Sequence, residues 1–141
     1  MSDSIQTGGC RCGAVKYEVS GPLRNIVICH CGECQRLNGS AGWHSRSMNE
    51  HLDITEDRGL AWYQITPRAR RGFCRECGSP LFWQIDKQES TGIVVGSLDD
   101  SSGLKPIGHI FVEDKACYFA INDDLPQFGQ SSHGELDGDF D

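Results

Sequence analysis

The spacing of the cysteines constrains this chain more than any other feature. Seven of the eight cysteines form three short groups: Cys10 with Cys12, Cys29 with Cys31 and Cys34, and Cys74 with Cys77. A tight turn with a cysteine at each end aims two sulfurs at one ion, and a glycine directly after the pair lets backbone amides turn toward those sulfurs. Zinc takes tetrahedral sulfur ligation of this kind. The pattern therefore predicts a small zinc protein whose thiolates bind metal rather than form disulfides.

These seven cysteines divide into a set of four and a set of three. The first set predicts a closed structural zinc site that ties the start of the chain to its middle: Cys10, Cys12, Cys74 and Cys77. The second set predicts a second, more labile zinc: Cys29, Cys31 and Cys34. Three protein ligands with the fourth position open are typical of a catalytic zinc site. The alternative is one structural zinc that uses four of the seven, with the others as buried thiols, and we interpret the lone Cys117 as a buried thiol as well.

Length and charge narrow the class of protein. The 141 residues predict one domain, and the net charge of −7 argues against nucleic-acid binding, which depends on Lys and Arg that neutralise phosphates. The polar start of the chain lacks the apolar segment of an export signal, and no apolar run is long enough to span a bilayer. We therefore expect a cytoplasmic protein that binds no membrane. In a reducing compartment, patterned cysteines are metal ligands or catalysts more often than disulfides.

Short apolar runs separated by turns predict an all-β domain. The predicted strands cover 15–19, 26–28, 60–65, 72–73, 81–85, 93–95, 109–112 and 117–121. Residues 33–37 predict one or two helical turns, which end at Asn38 and Gly39. We expect a single zinc-binding domain over 1–128, followed by a flexible acidic tail over 129–141 that is rich in Gly, Ser and Asp.

Six motifs in order along the chain carry a resemblance to a known family. They are GGCRCG at 8–13, CHCGECQR at 29–36, GFCRECGSPL at 72–81, GSLDD at 96–100, HIFV at 109–112 and DDLPQF at 123–128. From about Thr7 to Phe128 the chain resembles the glutathione-dependent formaldehyde-activating enzyme family, which includes the domain of centromere protein V. The resemblance implies a β-tent of twisted antiparallel sheets around a structural zinc, with short helices, as in a zinc-binding chaperone of Rab GTPases. It also implies that the set of four holds the structural zinc and the set of three holds the labile one.

The activity that the resemblance implies is carbon–sulfur bond formation between a small thiol such as glutathione and a small aldehyde, with S-hydroxymethylglutathione as the product. A thiolate is the attacking species, and a zinc ion with an open position can lower the pKa of the thiol or polarise the aldehyde oxygen. His30 and Glu33 lie in the same loop and are the candidate proton handlers. We therefore expect a zinc-dependent carbon–sulfur lyase. The alternative is a non-catalytic zinc-binding module that interacts with other proteins.

Overall fold

The computed structural model describes residues 4–136, and these form mainly short strands. The strands are β1 Gln6–Gly9, β2 Lys16–Val19, β3 Ile26–Cys29, β4 Gly42–Met48, β5 Leu52–Glu56, β6 Leu60–Gln64, β7 Ala69–Cys74, β8 Pro80–Ile85, β9 Ser90–Val94 and β10 Pro106–Ile110. One α-helix, α1, spans Gly32–Asn38, and short 3-10 helices span Asn49–His51, Val95–Ser97 and Val112–Asp114. The prediction of an all-β domain with short helices is confirmed.

Two sheets organise these strands. A three-stranded sheet has the order β1-β2-β5, and a seven-stranded sheet has the order β10-β3-β4-β9-β8-β7-β6. All pairings between strands are antiparallel except that of β10 with β3, which run parallel. The parallel pair places His109 beside Ile28 and Ile110 beside Cys29. The C-terminal part of the domain therefore packs directly against the strand that ends at the second cysteine group.

The core lies mostly between the two sheets. Tyr17 of β2 is 1% exposed and stacks edge-on against Phe82 of β8, with ring centroids 5.2 Å apart. The Tyr17 hydroxyl lies 2.6 Å from Oγ of Ser97, so its polar atom is paired where it is buried. A smaller apolar group around Ile26 and Ile28 of β3 lies at the other end of the large sheet. The second cysteine group begins directly after this strand.

Helix α1 forms where the sequence predicts it. Cys31 is its N-cap residue, and the Cys31 side chain accepts a hydrogen bond from the backbone N–H of Cys34. Gly39 ends the helix in the left-handed conformation, at a φ of 94°, and its N–H bonds to the carbonyl of Gln35. The helix is short because this glycine cap follows after only two turns.

One predicted strand is wrong and three strands were missed. Residues 117–121 form no strand: Cys117 and Tyr118 lie in a turn, and both are exposed. The edge of β10 that faces away from β3 is occupied by residues 126–130: Phe128 donates its N–H to the carbonyl of His109, and Val112 donates to the carbonyl of Phe128. That edge is therefore not open to residues 117–121. The prediction of a buried Cys117 thiol is likewise wrong. The missed strands are β1, β4 and β5.

The predicted flexible tail falls partly outside the described residues. Positions 137–141 are not described. Within 129–136, Ser132 and Leu136 are buried, and Leu136 lies against the backbone of Gly108 in β10. Packing against the domain thus continues beyond residue 128. None of the helices formed by residues 4–136 has the length and apolar character needed to cross a bilayer.

Candidate metal centres and active site

The first cysteine group and the third converge on one point. The four ligand sulfurs all lie within 4.8 Å of one another and belong to Cys10, Cys12, Cys74 and Cys77, which we call the four-cysteine cluster. Two of its sulfur–sulfur distances, Cys10 to Cys12 and Cys12 to Cys74, are 3.7 Å. Two sulfurs bound to one zinc at 2.3 Å in tetrahedral geometry lie about 3.8 Å apart. The four sulfurs therefore fit a single tetrahedral metal ion.

Each cysteine pair of this cluster lies in a tight turn, of the kind called a zinc knuckle. Gly13 and Gly78 follow the two cysteine pairs, and both have positive φ angles, of 88° and 81°. The N–H of Val15 lies 3.2 Å from Sγ of Cys10, so a backbone amide points at a ligand sulfur. The hydroxyl of Ser79 lies 3.2 Å from Sγ of Cys77, and this contact lowers the pKa of the Cys77 thiol to about 5. These contacts favour thiolates, which are the form that binds metal.

The second group forms a cluster of its own. The sulfurs of Cys29, Cys31 and Cys34 lie within 4.8 Å of one another, and we call them the three-cysteine cluster. Cys29 ends β3, Cys31 caps α1, and Cys34 lies in the first turn of α1. Hydrogen bonds from the Cys29 and Cys34 thiols lower the pKa of Cys31, and the same bond to Cys31 raises that of Cys29 to about 12. The cluster thus concentrates negative charge on the middle sulfur, where it can attract a cation.

A histidine that the sequence did not single out lies beside this cluster. Nε2 of His44 lies 3.7 Å from Sγ of Cys34. The contact depends on Gly42, since a Cβ at that position would lie 2.4 Å from Nε2 of His44, 2.9 Å from Sγ of Cys34 and 3.2 Å from Nδ2 of Asn38. Three polar side-chain atoms therefore converge on the space that this glycine leaves empty. Burial lowers the pKa of His44 to about 4, so its ring is neutral near pH 7.

Glu33 borders the same cluster and is held in place by an ion pair. Its carboxylate accepts a hydrogen bond from Nε of Arg71 in β7, at 2.9 Å. The Arg71 guanidinium lies 5.0 Å from the ring centroid of Tyr63 and 5.6 Å from that of Phe73. The Arg71 side chain is 24% exposed and that of Glu33 is 36% exposed. Helix α1 is thereby fastened to β7 at the far side of the large sheet, and a partly exposed charged pair lies next to the cluster.

With both clusters and their surroundings defined, comparison with known proteins decides the family. A family model described as glutathione-dependent formaldehyde-activating enzyme matches residues 5–114, which include all seven ligand candidates. The chain belongs to the glutathione-dependent formaldehyde-activating enzyme family. The two clusters, which each can hold a metal ion, therefore lie within the region that defines this family.

Two individual relatives share between 26% and 29% sequence identity with this chain. An uncharacterized lyase of Schizosaccharomyces pombe is 26% identical over 76 residues, which cover 54% of this chain and 55% of the yeast protein. The chain thus matches about half the length of that curated relative. The crystal structure of a Rhodobacter sphaeroides protein is 29% identical, with a TM-score of 0.57, and the match covers 71% of this chain and 97% of the other. The yeast relative is named as a lyase, and the bacterial structure shares the fold of this chain.

The remaining predicted site residue of this family member, His30, packs in the interior. Its ring is fully buried, stacks on the ring of His109 with centroids 5.1 Å apart, and meets the edge of Phe119 at 5.2 Å. Burial lowers its pKa, and the nearby charges of His109 and Lys115 add to this effect. The structure therefore places His30 between two cluster cysteines in the chain, with its ring packed against the segment after β10.

The predicted strands did not include His44, and the structure places it in β4. Its neighbours Ser45 and Ser47 are fully buried, so the strand lacks the apolar alternation that would have marked it. The usable signal was Gly42, a glycine shortly after the three-cysteine group, since glycine within a strand often marks a close approach of other atoms.

Proposed function

We propose that the chain is a zinc-dependent carbon–sulfur lyase that forms or cleaves S-hydroxymethylglutathione or a related small thiol–aldehyde adduct. In the forming direction, the thiol sulfur bonds to the aldehyde carbon, and the thiol proton moves to the aldehyde oxygen, which becomes a hydroxyl. In the reverse direction the carbon–sulfur bond breaks, and the proton returns to sulfur. Membership of the family and the yeast relative named as a lyase support this class of reaction.

The observation that carries the proposal is the incomplete ligand set of the three-cysteine cluster. Its three sulfurs are close enough to share one ion, while four of the other five cysteines belong to the first cluster. The fifth, Cys117, is exposed and belongs to neither cluster. A tetrahedral metal held by this cluster would therefore keep a position that a small thiol or an aldehyde oxygen can take. The four-cysteine cluster offers no such position, and we assign it a structural zinc.

The bound zinc would supply a lowered thiol pKa or a polarised carbonyl. The chain's own residues would hold and orient the reactants. His44 presents its imidazole beside Cys34, at one side of the cluster, and the pair of Glu33 and Arg71 flanks it along helix α1. The partly exposed Arg71 is suited to pair with a carboxylate, which glutathione carries, and Glu33 then accepts or orients a proton near the reacting oxygen. We propose a supporting role for His30, because its ring is fully buried.

The test combines metal content with activity. The wild-type protein is expected to hold two zinc ions and to accelerate adduct formation from glutathione and formaldehyde. Cys31→Ser should lose one zinc ion and this activity, while its circular-dichroism spectrum stays unchanged. The matched control is Cys117→Ser, which removes an exposed thiol outside both clusters and should change neither quantity.

Three results would contradict parts of the proposal. Full activity of Cys31→Ser would exclude a catalytic role of the three-cysteine cluster. A wild-type protein that holds a single zinc ion would exclude the second metal. A protein that holds two zinc ions but does not act on thiol–aldehyde adducts would favour the alternative, a zinc-binding module that interacts with other proteins.

A further inference from the structure

Two sequence motifs have no role in the proposed reaction, HIFV at 109–112 and DDLPQF at 123–128. The structure brings one residue from each motif to the segment between Cys29 and Cys31. Nε2 of His109 lies 3.1 Å and 3.0 Å from the two carboxylate oxygens of Asp123, and Nδ1 of His109 lies 2.8 Å from Nε2 of His30. The three side chains form one continuous hydrogen-bonded series, which we call the Asp–His–His chain.

The Asp–His–His chain runs from solvent into the interior. The side chain of Asp123 is 44% exposed, that of His109 is 1% exposed, and His30 is fully buried. At the inner end, Nδ1 of His30 is buried and has no hydrogen-bond partner among residues 4–136. Buried polar atoms are nearly always paired, so this unpaired ring nitrogen, between Cys29 and Cys31 in the chain, is an exception with a physical cause.

Counting donors and acceptors assigns the protons when both rings are neutral. A carboxylate only accepts hydrogen bonds, so Nε2 of His109 donates to Asp123. Nδ1 of His109 then carries a lone pair and accepts, which requires that Nε2 of His30 donates. Nδ1 of His30 is consequently left without a proton. The exposed carboxylate thus determines the tautomer of a fully buried ring two residues away along the hydrogen-bonded series.

The backbone of His30 is fixed from two other directions. Its N–H donates to the carbonyl of Ile110 in β10 at 3.0 Å, and its carbonyl accepts from Nε2 of Gln35 in α1, also at 3.0 Å. These bonds fix the main chain of the loop, and neither of them involves the His30 ring. The hydrogen bond to His109 is the polar contact that fixes the ring itself.

The outer end of the series is fixed as well. The backbone N–H of Leu125 donates to Oδ1 of Asp123 at 3.1 Å, and the N–H of His109 donates to the carbonyl of Pro126 at 2.9 Å. The backbone of residues 123–126 therefore holds the Asp123 carboxylate next to His109 in β10. Asp123 lies beyond residue 114, where the match to the family model ends.

We propose that Asp123 and His109 are positioning residues for the three-cysteine cluster, because they hold His30 in one orientation and one tautomer and thereby hold Cys29 and Cys31 in metal-binding geometry. This inference rests on the proposed second zinc but not on the lyase reaction. Groups that hydrogen-bond directly to a metal ligand contribute about 10–100-fold to metal affinity. Asp123 and His109 act one step further away, through His30, so their effect should lie at the lower end of this range.

The first test measures zinc affinity in Asp123→Ala. Its side chain is partly exposed, so the variant is expected to fold, and the matched control is Asp124→Ala, which removes the adjacent exposed carboxylate. Competition with a chromophoric chelator resolves the weaker zinc from the tighter one. Asp123→Ala should weaken the second zinc by about tenfold, while Asp124→Ala should match the wild type. The tighter zinc should be unchanged in both variants.

The second test reads the tautomer directly. Nitrogen-15 NMR of labelled histidine should show a protonated Nε2 and an unprotonated Nδ1 for both His30 and His109. Asp123→Ala should shift both rings toward a mixture of tautomers. Asp123→Asn keeps an acceptor oxygen and should restore both the tautomer and most of the zinc affinity. A residue that merely fills space would not give this rescue pattern.

The outcomes separate this inference from the proposed function. If the wild-type protein holds only one zinc ion, the proposed second site is wrong. If the wild type holds two, and Asp123→Ala binds the second as tightly as Asp124→Ala does, the positioning role is wrong while the second site stands. A His30 ring protonated at Nδ1 in the wild type would also overturn the inference.

Discussion

The substitution Gly42→Ala tests how closely the three-cysteine cluster and β4 are fitted to each other. Gly42 lies opposite Cys29 in the pairing of β4 with β3. An added Cβ would lie 2.9 Å from Sγ of Cys34, whereas ordinary contact begins at 3.4 Å, so the sulfur must move by about 0.5 Å. It would also lie 2.4 Å from Nε2 of His44, but that atom is the far end of a side chain that can rotate away.

Gly42→Ala should affect metal binding more than it affects the stability of the fold. Overpacking of a well-filled site costs about 1–3 kcal/mol of folding free energy, and the domain should tolerate this cost. Zinc–ligand distances tolerate only about 0.2 Å, so a sulfur displaced by more than that is a poor ligand. We therefore expect Gly42→Ala to weaken the second zinc by about tenfold or more, which corresponds to about 1.4 kcal/mol. The four-cysteine cluster should keep its zinc.

Gly92→Ala is the matched control for this experiment. Gly92 is a buried strand glycine in the neighbouring β9, and an added Cβ there meets its nearest atom, Cβ of Trp83, at 3.4 Å. Chelator competition gives the affinity of each zinc, and urea denaturation gives the stability. If Gly42→Ala and Gly92→Ala bind the second zinc equally well, the space over Gly42 does not set the geometry of the cluster, and this reasoning is refuted.

Three further predictions concern the metal sites and the core. Cys74→Ser should leave the protein insoluble or unfolded, because the sulfur is fully buried and its cluster joins distant segments; a soluble variant with full zinc content would contradict this. Mild chelation should remove one zinc ion first and leave the circular-dichroism spectrum intact. Tyr17→Phe should cost about 0.5–1.5 kcal/mol in urea denaturation near pH 7, because it removes the hydrogen bond to Ser97. Burial raises the pKa of Tyr17 from 10.0 to about 12, so only the unfolded chain loses the phenol proton between these values, and the wild type should lose about 2–3 kcal/mol relative to Tyr17→Phe as pH rises through that range. Equal pH dependence of the two proteins would contradict the burial argument.

Local sequence signals were sufficient wherever one short segment determines the structure. The cysteine spacings identify each short group because turn geometry brings the sulfurs within one group together. Gly13 and Gly78, which follow the two pairs of the four-cysteine cluster, have the positive φ angles that those turns need. Helix α1 was predicted for the same reason, since Asn38 and Gly39 end it locally. The assignment of the four cysteines to one cluster needed only the observation that two pairs complete one tetrahedron.

Long-range pairing determined what the sequence did not show. β4 buries Ser45 and Ser47, so its polar residues face inward and its alternation does not mark a strand. Residues 117–121 have apolar and aromatic character, which favours a strand. The edge of β10 that faces away from β3 is already occupied by residues 126–130, so 117–121 cannot pair there. Strand propensity describes how well side chains pack on a pleated sheet, and it does not predict which sheet edge is open to a further strand. His44 and Asp123 could not be placed near the three-cysteine cluster without that knowledge.

The two clusters should respond differently to metal loss because they differ in the length of chain that each one closes. The four-cysteine cluster joins Cys12 to Cys74, which are 62 residues apart, so a metal ion bound there would contribute directly to the free energy of folding. The three-cysteine cluster closes a segment of six residues, and such a site can open without unfolding the domain. The positions of its three sulfurs must therefore be set by contacts with side chains from other parts of the chain rather than by the metal. The ion pair of Glu33 with Arg71 and the hydrogen bond of His30 with His109 are long-range contacts of this kind. A loop held in place by such contacts can release and regain an ion or a thiol while its sulfurs stay in position, as the proposed reversible reaction would require.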